Sequence, residues 1–134
     1  MPDAQQPAPD GDFDAVVVGA GFAGLYAVYK LTRMGFRVRA FVAAMRIGSD
    51  SAILAFLNAH FASSQLAARP ASDRLPNFRR LAASLRDARV VRVMASTPTT
   101  IQVDLVGTAG AHLLMEFICE PQDPHRLLDW RRLD

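Results

Sequence analysis

The apolar and polar positions along the chain predict two kinds of folded segment after a polar start. Residues 1–12 are rich in Pro, Ala, Gln and Asp, which predicts a disordered leader. Residues 13–18 form an apolar run with three consecutive valines, which favours a buried strand. Residues 24–34 have helical apolar spacing and precede Gly35, a residue type that often follows a helix end. With residues 36–41 interpreted as a second strand, this part predicts one βαβ unit.

The pattern after residue 41 predicts helices followed by strands. Residues 48–51 (Gly-Ser-Asp-Ser) are typical of a helix start, and residues 62–72 are expected to be a connection. A second helix is expected after it, capped by Ser72 or Asp73, with Pro76 in its first turn. The apolar positions at helical spacing are Ile53, Leu54, Phe56, Leu57 and Phe61, then Leu75, Phe78, Leu81 and Leu85. From Arg89 onward apolar residues alternate with polar ones in four runs, the last containing Leu128 and Trp130, which predicts a four-stranded antiparallel meander.

The expected fold class is therefore α+β. A βαβ fragment of dinucleotide-binding type comprises residues 13–42, and a small α+β domain comprises residues 43–134, with helices packed on a four-stranded antiparallel sheet. A βαβ unit of about 30 residues is too short to be stable alone, so it is expected to dock on the second half, to dimerise or to stay partly disordered.

Composition narrows the functional classes. The chain has 134 residues and 51% hydrophobic residues, which is typical of a globular protein. Its apolar runs are too short to span a bilayer, and the acidic first residues do not resemble a signal peptide. One cysteine suits a reducing cytoplasm, and no Cys/His cluster suggests a metal site. A net charge of +2, without a dense basic stripe, argues against nucleic-acid binding.

A glycine-rich turn is the most specific motif. The pattern G-x-G-x-x-G directly follows the first predicted strand and opens the predicted helix. Gly19 would permit the tight turn, Gly21 would let a pyrophosphate approach the backbone, and Gly24 would let the helix pack closely on the strand. Free backbone N–H groups and the helix dipole would attract the phosphates. The candidate cofactor-binding residues are Gly19, Ala20, Gly21, Phe22, Ala23 and Gly24.

Residues 13–41, including this turn, resemble the amino terminus of flavin-dependent Baeyer–Villiger monooxygenases of the cyclohexanone type. The resemblance implies a segment that binds the ADP half of FAD. This chain departs from that pattern at Val42, where a dinucleotide fold has Asp or Glu to bind the ribose hydroxyls. It also has no second G-x-G-x-x-G and no later parallel strands for a flavin pocket. We therefore expect FAD binding to be weak or vestigial.

Residues 41–134 loosely resemble the ketosteroid-isomerase-like α+β domain found beside bacterial serine hydrolases of the β-lactamase class. The resemblance rests on residues 42–45, 48–50, 56–61 and 120–127, and it implies helices against a curved, cone-like sheet. The S-x-x-K nucleophile motif of those hydrolases is absent, so no hydrolase chemistry is expected.

No residue of the second half is assigned a catalytic role. Asp104, His112 and Glu116 are expected on a solvated sheet face, and His60 is expected to be a structural helix histidine. His125 and Arg126 are expected to form a turn that fixes the last strand. Cys119 and Trp130 are expected in the core, whereas the arginines at positions 79, 80, 86, 89 and 92 are expected on a solvated surface.

The sequence leaves three functions open. The first is a FAD- or dinucleotide-binding fragment related to flavin-dependent monooxygenases, incomplete and not catalytically self-sufficient. The second is a non-catalytic α+β module that binds a protein or a small apolar ligand, the latter in a cavity between the Leu54/Leu57/Phe61 helix and the sheet face with Val103 and Phe117. The third is a fused or truncated product without evolved activity. Expected partners are a nucleotide, a small apolar ligand or a second copy of the chain, with neither nucleic acid nor membrane.

Overall fold

The computed structural model describes residues 33–133, and this part of the chain forms four helices followed by four strands. The helices are α1 (Arg33–Ile47), α2 (Asp50–His60), α3 (Ser63–Ala68) and α4 (Ala71–Ser84). The strands are β1 (Arg89–Ser96), β2 (Thr100–Val106), β3 (His112–Cys119) and β4 (Leu127–Arg132), with a 3₁₀ turn at Thr108–Gly110. The expected α+β class, with four antiparallel strands, is confirmed.

The four strands pair in chain order, each antiparallel to the next. Val103 of β2 lies opposite Met115 of β3, and Ile101 lies opposite Phe117, so these side chains share one face. That face is buried against the helices. A register shift near the start of β4 changes the last strand: Leu127 is buried, whereas Leu128 and Trp130 are half-buried.

Helix α1 corrects the prediction for residues 36–41, which are helical and do not form a second strand. The described helix includes Gly35, so the helix end expected there is also wrong. The buried positions Met34, Val38, Phe41 and Met45 recur every three or four residues, the spacing of one helix face. This pattern extends over twelve residues, whereas a six-residue segment is too short to distinguish strand from helix by itself.

The aromatic core explains why the helix forms here. Phe41 is fully buried, and its ring packs edge-on against Phe56 of α2, Phe78 of α4 and Phe117 of β3. The Phe41 and Phe117 ring centroids are 5.1 Å apart. Such contacts add to the free energy of burying the ring. If residues 36–41 formed a strand, Phe41 would lose this position at the centre of the core.

The same packing fills the place where an apolar ligand cavity was expected. Leu57, Phe61, Val103 and Phe117 are all buried, and the Phe41 ring lies between α2 and the sheet. Phe41, whose side chain occupies this space, belongs to residues 36–41, the segment predicted to be the second strand of the βαβ unit. The boundary expected between residues 42 and 43 falls inside α1, so residues 33–42 share the core of the rest.

The remaining helices follow the predicted pattern with two differences. Ser49 caps α2, since its Oγ accepts a hydrogen bond from the Ala52 N–H at 3.2 Å, as the predicted helix start implies. The expected connection at residues 62–72 contains the short helix α3. Helix α4 is preceded by Pro70 and not by Ser72 or Asp73, which places Pro76 inside the helix, beyond its first turn.

Candidate functional site

The candidate cofactor-binding residues Gly19, Ala20, Gly21, Phe22, Ala23 and Gly24 lie outside the described residues, as do the first predicted strand and most of the first predicted helix. What the structure does describe is the segment that would follow them in a dinucleotide-binding unit. Its geometry determines which further contacts a bound dinucleotide could receive.

Val42 occupies the position of the expected ribose acid, and it lies within α1 instead of at a strand end. Its side chain is 8% exposed and belongs to the hydrophobic core. An apolar side chain there cannot accept a hydrogen bond from a ribose hydroxyl. The described part of the chain therefore supplies no ribose anchor at this position.

Arg37, also in α1, is a buried arginine that the sequence analysis did not single out. Its Nε donates to the His125 carbonyl at 2.8 Å, and its Nη2 donates to the Pro124 carbonyl at 2.6 Å. Its Nη1 lies 3.0 Å from His60 Nδ1. Burial lowers the pKa of Arg37, and the nearby charge of Arg126 lowers it further. Arg37 thus joins α1 to α2 and to the loop between β3 and β4.

His60, the hydrogen-bond partner of Arg37 Nη1, also makes aromatic contacts. Its ring stacks on Phe56 at 5.1 Å and contacts Phe36 at 5.7 Å between centroids. Burial lowers the pKa of His60, and the charges of Arg37 and Arg126 lower it further. Since Arg37 has only N–H donors, Nδ1 must accept the hydrogen bond, which requires the neutral ring. These contacts are those of a structural histidine, the role expected from the sequence.

The loop between β3 and β4 is ordered by its own polar contacts. His125 adopts a positive φ of 56°, and its Nδ1 lies 3.0 Å from the Glu120 carbonyl oxygen. The Arg126 N–H donates to Glu120 Oε1, and the Arg126 guanidinium donates to the Ala59 carbonyl at the end of α2. These contacts hold the turn before β4, as expected for His125 and Arg126.

The outer face of the sheet differs from its expected solvated state. Asp104 is 4% exposed and Glu116 is 6% exposed. Asp104 lies 2.8 Å from His112 Nδ1 and 3.6 Å from an Arg92 guanidinium nitrogen. Glu116 accepts from Gln102 at 2.9 Å and from Arg131 at 2.7 Å.

Longer neighbouring side chains explain this burial. The side chains of His112, Arg92 and Arg131 are themselves 49–63% exposed, and they cover the shorter acids. The hydrogen bond from Gln102 lowers the pKa of Glu116, and Arg131 contributes in the same direction. The two acids thus serve as cross-strand partners within the sheet.

Three further observations concern thiol reactivity, metal binding and membrane spans. Cys119 is 2% exposed, and burial raises the pKa of its thiol, which disfavours the nucleophilic thiolate. Within residues 33–133, His, Cys, Asp and Glu side chains form no group of three suited to bind a metal ion. In the same range, no helix combines the length and apolar character needed to cross a membrane.

Comparison with known proteins gives matches in the N-terminal part of the chain. Residues 17–56, less than a third of the chain, match the family described as "NAD(P)-binding Rossmann-like domain". A FAD-binding monooxygenase, lolF2, from Epichloe uncinata is 54% identical over 37 residues, and a Baeyer-Villiger monooxygenase from Pseudooceanicola batsensis is 58% identical over 38 residues. Each match covers 28% of this chain and spans 7% of the relative's length.

These matches confirm the first resemblance: the N-terminal segment is similar to dinucleotide-binding segments of FAD-binding and Baeyer–Villiger monooxygenases. The comparisons do not support the resemblance of residues 41–134 to a ketosteroid-isomerase-like domain. No solved structure gives a significant match to this chain. The matched region ends at Phe56, so it includes α1, where the structure has a helix and the βαβ pattern requires a strand.

Proposed function

We propose that this chain is a dinucleotide-binding fragment related to FAD-dependent monooxygenases, in which the turn from Gly19 to Gly24 binds the phosphates of FAD or a related nucleotide. In this proposal the fragment is incomplete and does not catalyse oxidation alone. The supporting observation is the match of residues 17–56, which contains the whole G-x-G-x-x-G motif, to a dinucleotide-binding family.

The geometry of α1 supports weak binding. Phosphate recognition by a glycine-rich turn needs backbone N–H groups and a helix N-terminus, and it does not depend on the second strand. Ribose recognition does depend on it, because the acid must lie at the end of that strand. With Val42 buried in a helix, binding would rest on the phosphate contacts. A ribose hydroxyl without a partner would cost about 1–3 kcal/mol.

The described side chains give no support for an independent oxidative or hydrolytic activity. The buried acids Asp104 and Glu116 are engaged by cross-strand partners, and His60 is engaged by Arg37. Any oxidative chemistry in this proposal requires a flavin pocket from another polypeptide segment. The cone-like curvature of the sheet, association with a second copy of the chain and a cytoplasmic location stay predictions.

Titration calorimetry of the full chain with FAD and with ADP tests the proposal. We expect dissociation constants of about 0.1 mM or weaker, equivalent to a binding free energy of about 5.5 kcal/mol at most. Because phosphate contacts dominate, the affinity should fall as the salt concentration rises. Gly21→Asp should abolish binding by placing a carboxylate where the pyrophosphate would lie.

Ala109→Asp is the matched control. It adds a carboxylate at an exposed position with φ 61°, a conformation that Asp tolerates, and it should leave FAD binding unchanged. Loss of binding in both variants would point to a general charge effect and contradict a glycine-turn site. Micromolar binding that is insensitive to salt would contradict the phosphate-only site.

A further inference from the structure

A pocket of about 370 Å³ opens between the C-terminal end of α1 and α4, and its walls contain three arginines. Arg46 lies in the last turn of α1, Arg79 lies in α4, and Arg86 follows the end of α4. The pocket is also lined by the small residues Gly48, Ala82 and Ala83, whose side chains are too short to fill it. The volume lies within the usual range of small-molecule sites.

The backbone brings the arginines together. Arg79 lies in α4 and Arg86 lies two residues beyond its end, and both line the pocket. Gly48 has a positive φ of 72° and ends α1 with its N–H bonded to the Ala44 carbonyl. A Cβ on Gly48 would lie 3.8 Å from Ala82 Cβ, so α1 ends directly against α4. This close approach places Arg46 on the same pocket as the α4 arginines.

Within residues 33–133, an acid pairs with one of the three pocket arginines. Asp50 accepts from Arg79 Nε at 2.8 Å and from Arg79 Nη2 at 2.6 Å, which leaves Arg79 Nη1 for another acceptor. The hydrogen bond from Arg79 lowers the pKa of Asp50, so this acid stays ionised. Among residues 33–133, the guanidinium groups of Arg46 and Arg86 have no ion pair or hydrogen bond with an acid. Both side chains are exposed.

The pocket also has an apolar edge. Ile47 is 69% exposed and lines the same space as the arginines. An exposed isoleucine beside three guanidinium groups suits a ligand with an anionic head and a small apolar body. Arginine recognises phosphate through several parallel N–H···O bonds, and a phosphomonoester has three terminal oxygens, one more than a carboxylate.

We propose that the Arg46/Arg79/Arg86 pocket is a binding site for a small phosphomonoester. Arg46 and Arg86 contact the phosphoryl oxygens, and Ile47 contacts the apolar group. The site consists of other residues than the glycine-rich turn, and it does not depend on the proposed function.

Two-dimensional ¹H–¹⁵N NMR of the full chain tests this site, with phenyl phosphate as the probe. Inorganic phosphate and phenol serve as control ligands that carry only the anionic group or only the apolar group. Phenyl phosphate should shift the amide signals of Ile47, Gly48 and Ala83, with a dissociation constant of about 1–10 mM. Inorganic phosphate should shift the same signals with lower affinity, and phenol should not shift them. No saturable shift at these residues up to about 50 mM phenyl phosphate would overturn the proposal.

Variants locate the contacts. Arg46→Gln and Arg86→Gln should each weaken binding at least about fivefold, because each removes a charge-assisted hydrogen bond. Ala83→Glu, at an exposed position of α4, should abolish binding by placing a carboxylate in the pocket. Arg89→Gln, at an exposed arginine of β1 that does not line the pocket, is the matched control and should have no effect. Equal weakening by Arg89→Gln would show non-specific attraction to the basic surface and would overturn the site.

A second comparison separates this site from the glycine-rich turn. The Gly21→Asp variant should bind phenyl phosphate as the unmodified chain does, whether or not it has lost FAD binding. If Gly21→Asp abolishes the phenyl phosphate shifts while Arg46→Gln leaves them unchanged, the phosphate binds at the turn and the arginine pocket is not a site.

Discussion

Replacing Val42 by Asp tests whether the segment after the glycine-rich motif is a helix or a strand. In the structure Val42 is 8% exposed, lies within α1 and contributes to the hydrophobic core. In a βαβ unit the same position would end the second strand, and Asp there would be the ribose acid. The two arrangements therefore predict opposite consequences for one substitution.

The expected cost follows from burial. Removing the valine side chain from the core costs about 1.5–2 kcal/mol. A carboxylate at a buried site adds several kcal/mol before relaxation, and an 8% exposed position lets the chain shift to hydrate it in part. We expect a net loss of about 3–4 kcal/mol in the free energy of unfolding, a large share of the stability of a domain of this size.

Urea denaturation of the full chain measures this loss. Trp130 is a suitable fluorescent reporter, because its ring packs edge-on against Phe78 in the core at 5.8 Å. Ala43→Asp is the control, since it places the same carboxylate one residue further along α1 on the exposed side. It should cost less than about 1 kcal/mol, mainly through lower helix propensity.

One pattern of results would refute the reasoning. If Val42→Asp is as stable as Ala43→Asp and binds FAD more tightly than the unmodified chain, residues 36–42 form the strand of a dinucleotide-binding unit. Val42→Ala provides an internal check: it should cost about 1–2 kcal/mol, less than Val42→Asp, because it removes volume without adding a charge.

Three further predictions concern the contacts around α1 and the sheet. Arg37→Met should lower the free energy of unfolding by about 2–4 kcal/mol in urea denaturation, because two loop carbonyls lose their hydrogen-bond donor. The control is Arg46→Met at an exposed position, which should cost under about 0.5 kcal/mol. Equal costs for the two variants would contradict an anchoring role of Arg37. His60 has a pKa below its usual 6.5, so its contribution to stability should be complete above that pH and should be lost as the pH falls, because the unfolded state binds the proton first. Denaturation at a series of pH values should show that His60→Gln reduces this acid-side slope, and an unchanged slope would exclude His60 as its source. Gly107→Ala should destabilise the fold by about 1–3 kcal/mol, since its Cβ would overlap the Ser84 carbonyl oxygen at the end of α4. Gly110→Ala meets no atom within 4 Å and should cost about 1 kcal/mol from its positive φ. Thermal unfolding of both variants tests the order.

Local pattern was sufficient for most of the second half. The antiparallel strands were predictable because each buries one face, so apolar residues such as Val103 and Met115 alternate with polar ones. Helix α2 was predictable because Ser49 and Asp50 begin it with a cap and an acidic first turn, and because Ile53 and Leu57 follow at helical spacing.

The glycine-rich motif was also readable from sequence alone, because its meaning depends on residue type and spacing within a few positions. The match of residues 17–56 to a dinucleotide-binding family agrees with it. The motif did not determine the conformation of the segment that follows. The local pattern favoured a second strand at residues 36–41, and local propensity did not oppose it.

Only the tertiary structure decided that this segment is a helix. Phe41 finds three aromatic partners from α2, α4 and β3, and Arg37 finds two carbonyls more than 80 residues away in the chain. Contacts between residues so far apart in the chain leave no signal in the local sequence. Their burial and hydrogen bonds nevertheless contribute more free energy than the modest differences between helix and strand propensity. Likewise Asp104 alternates with apolar residues as a solvated position would, and it is buried because His112 and Arg92 cover it from neighbouring strands. Sequence thus determined which residues alternate or repeat, and the packing of distant segments determined which of them are buried.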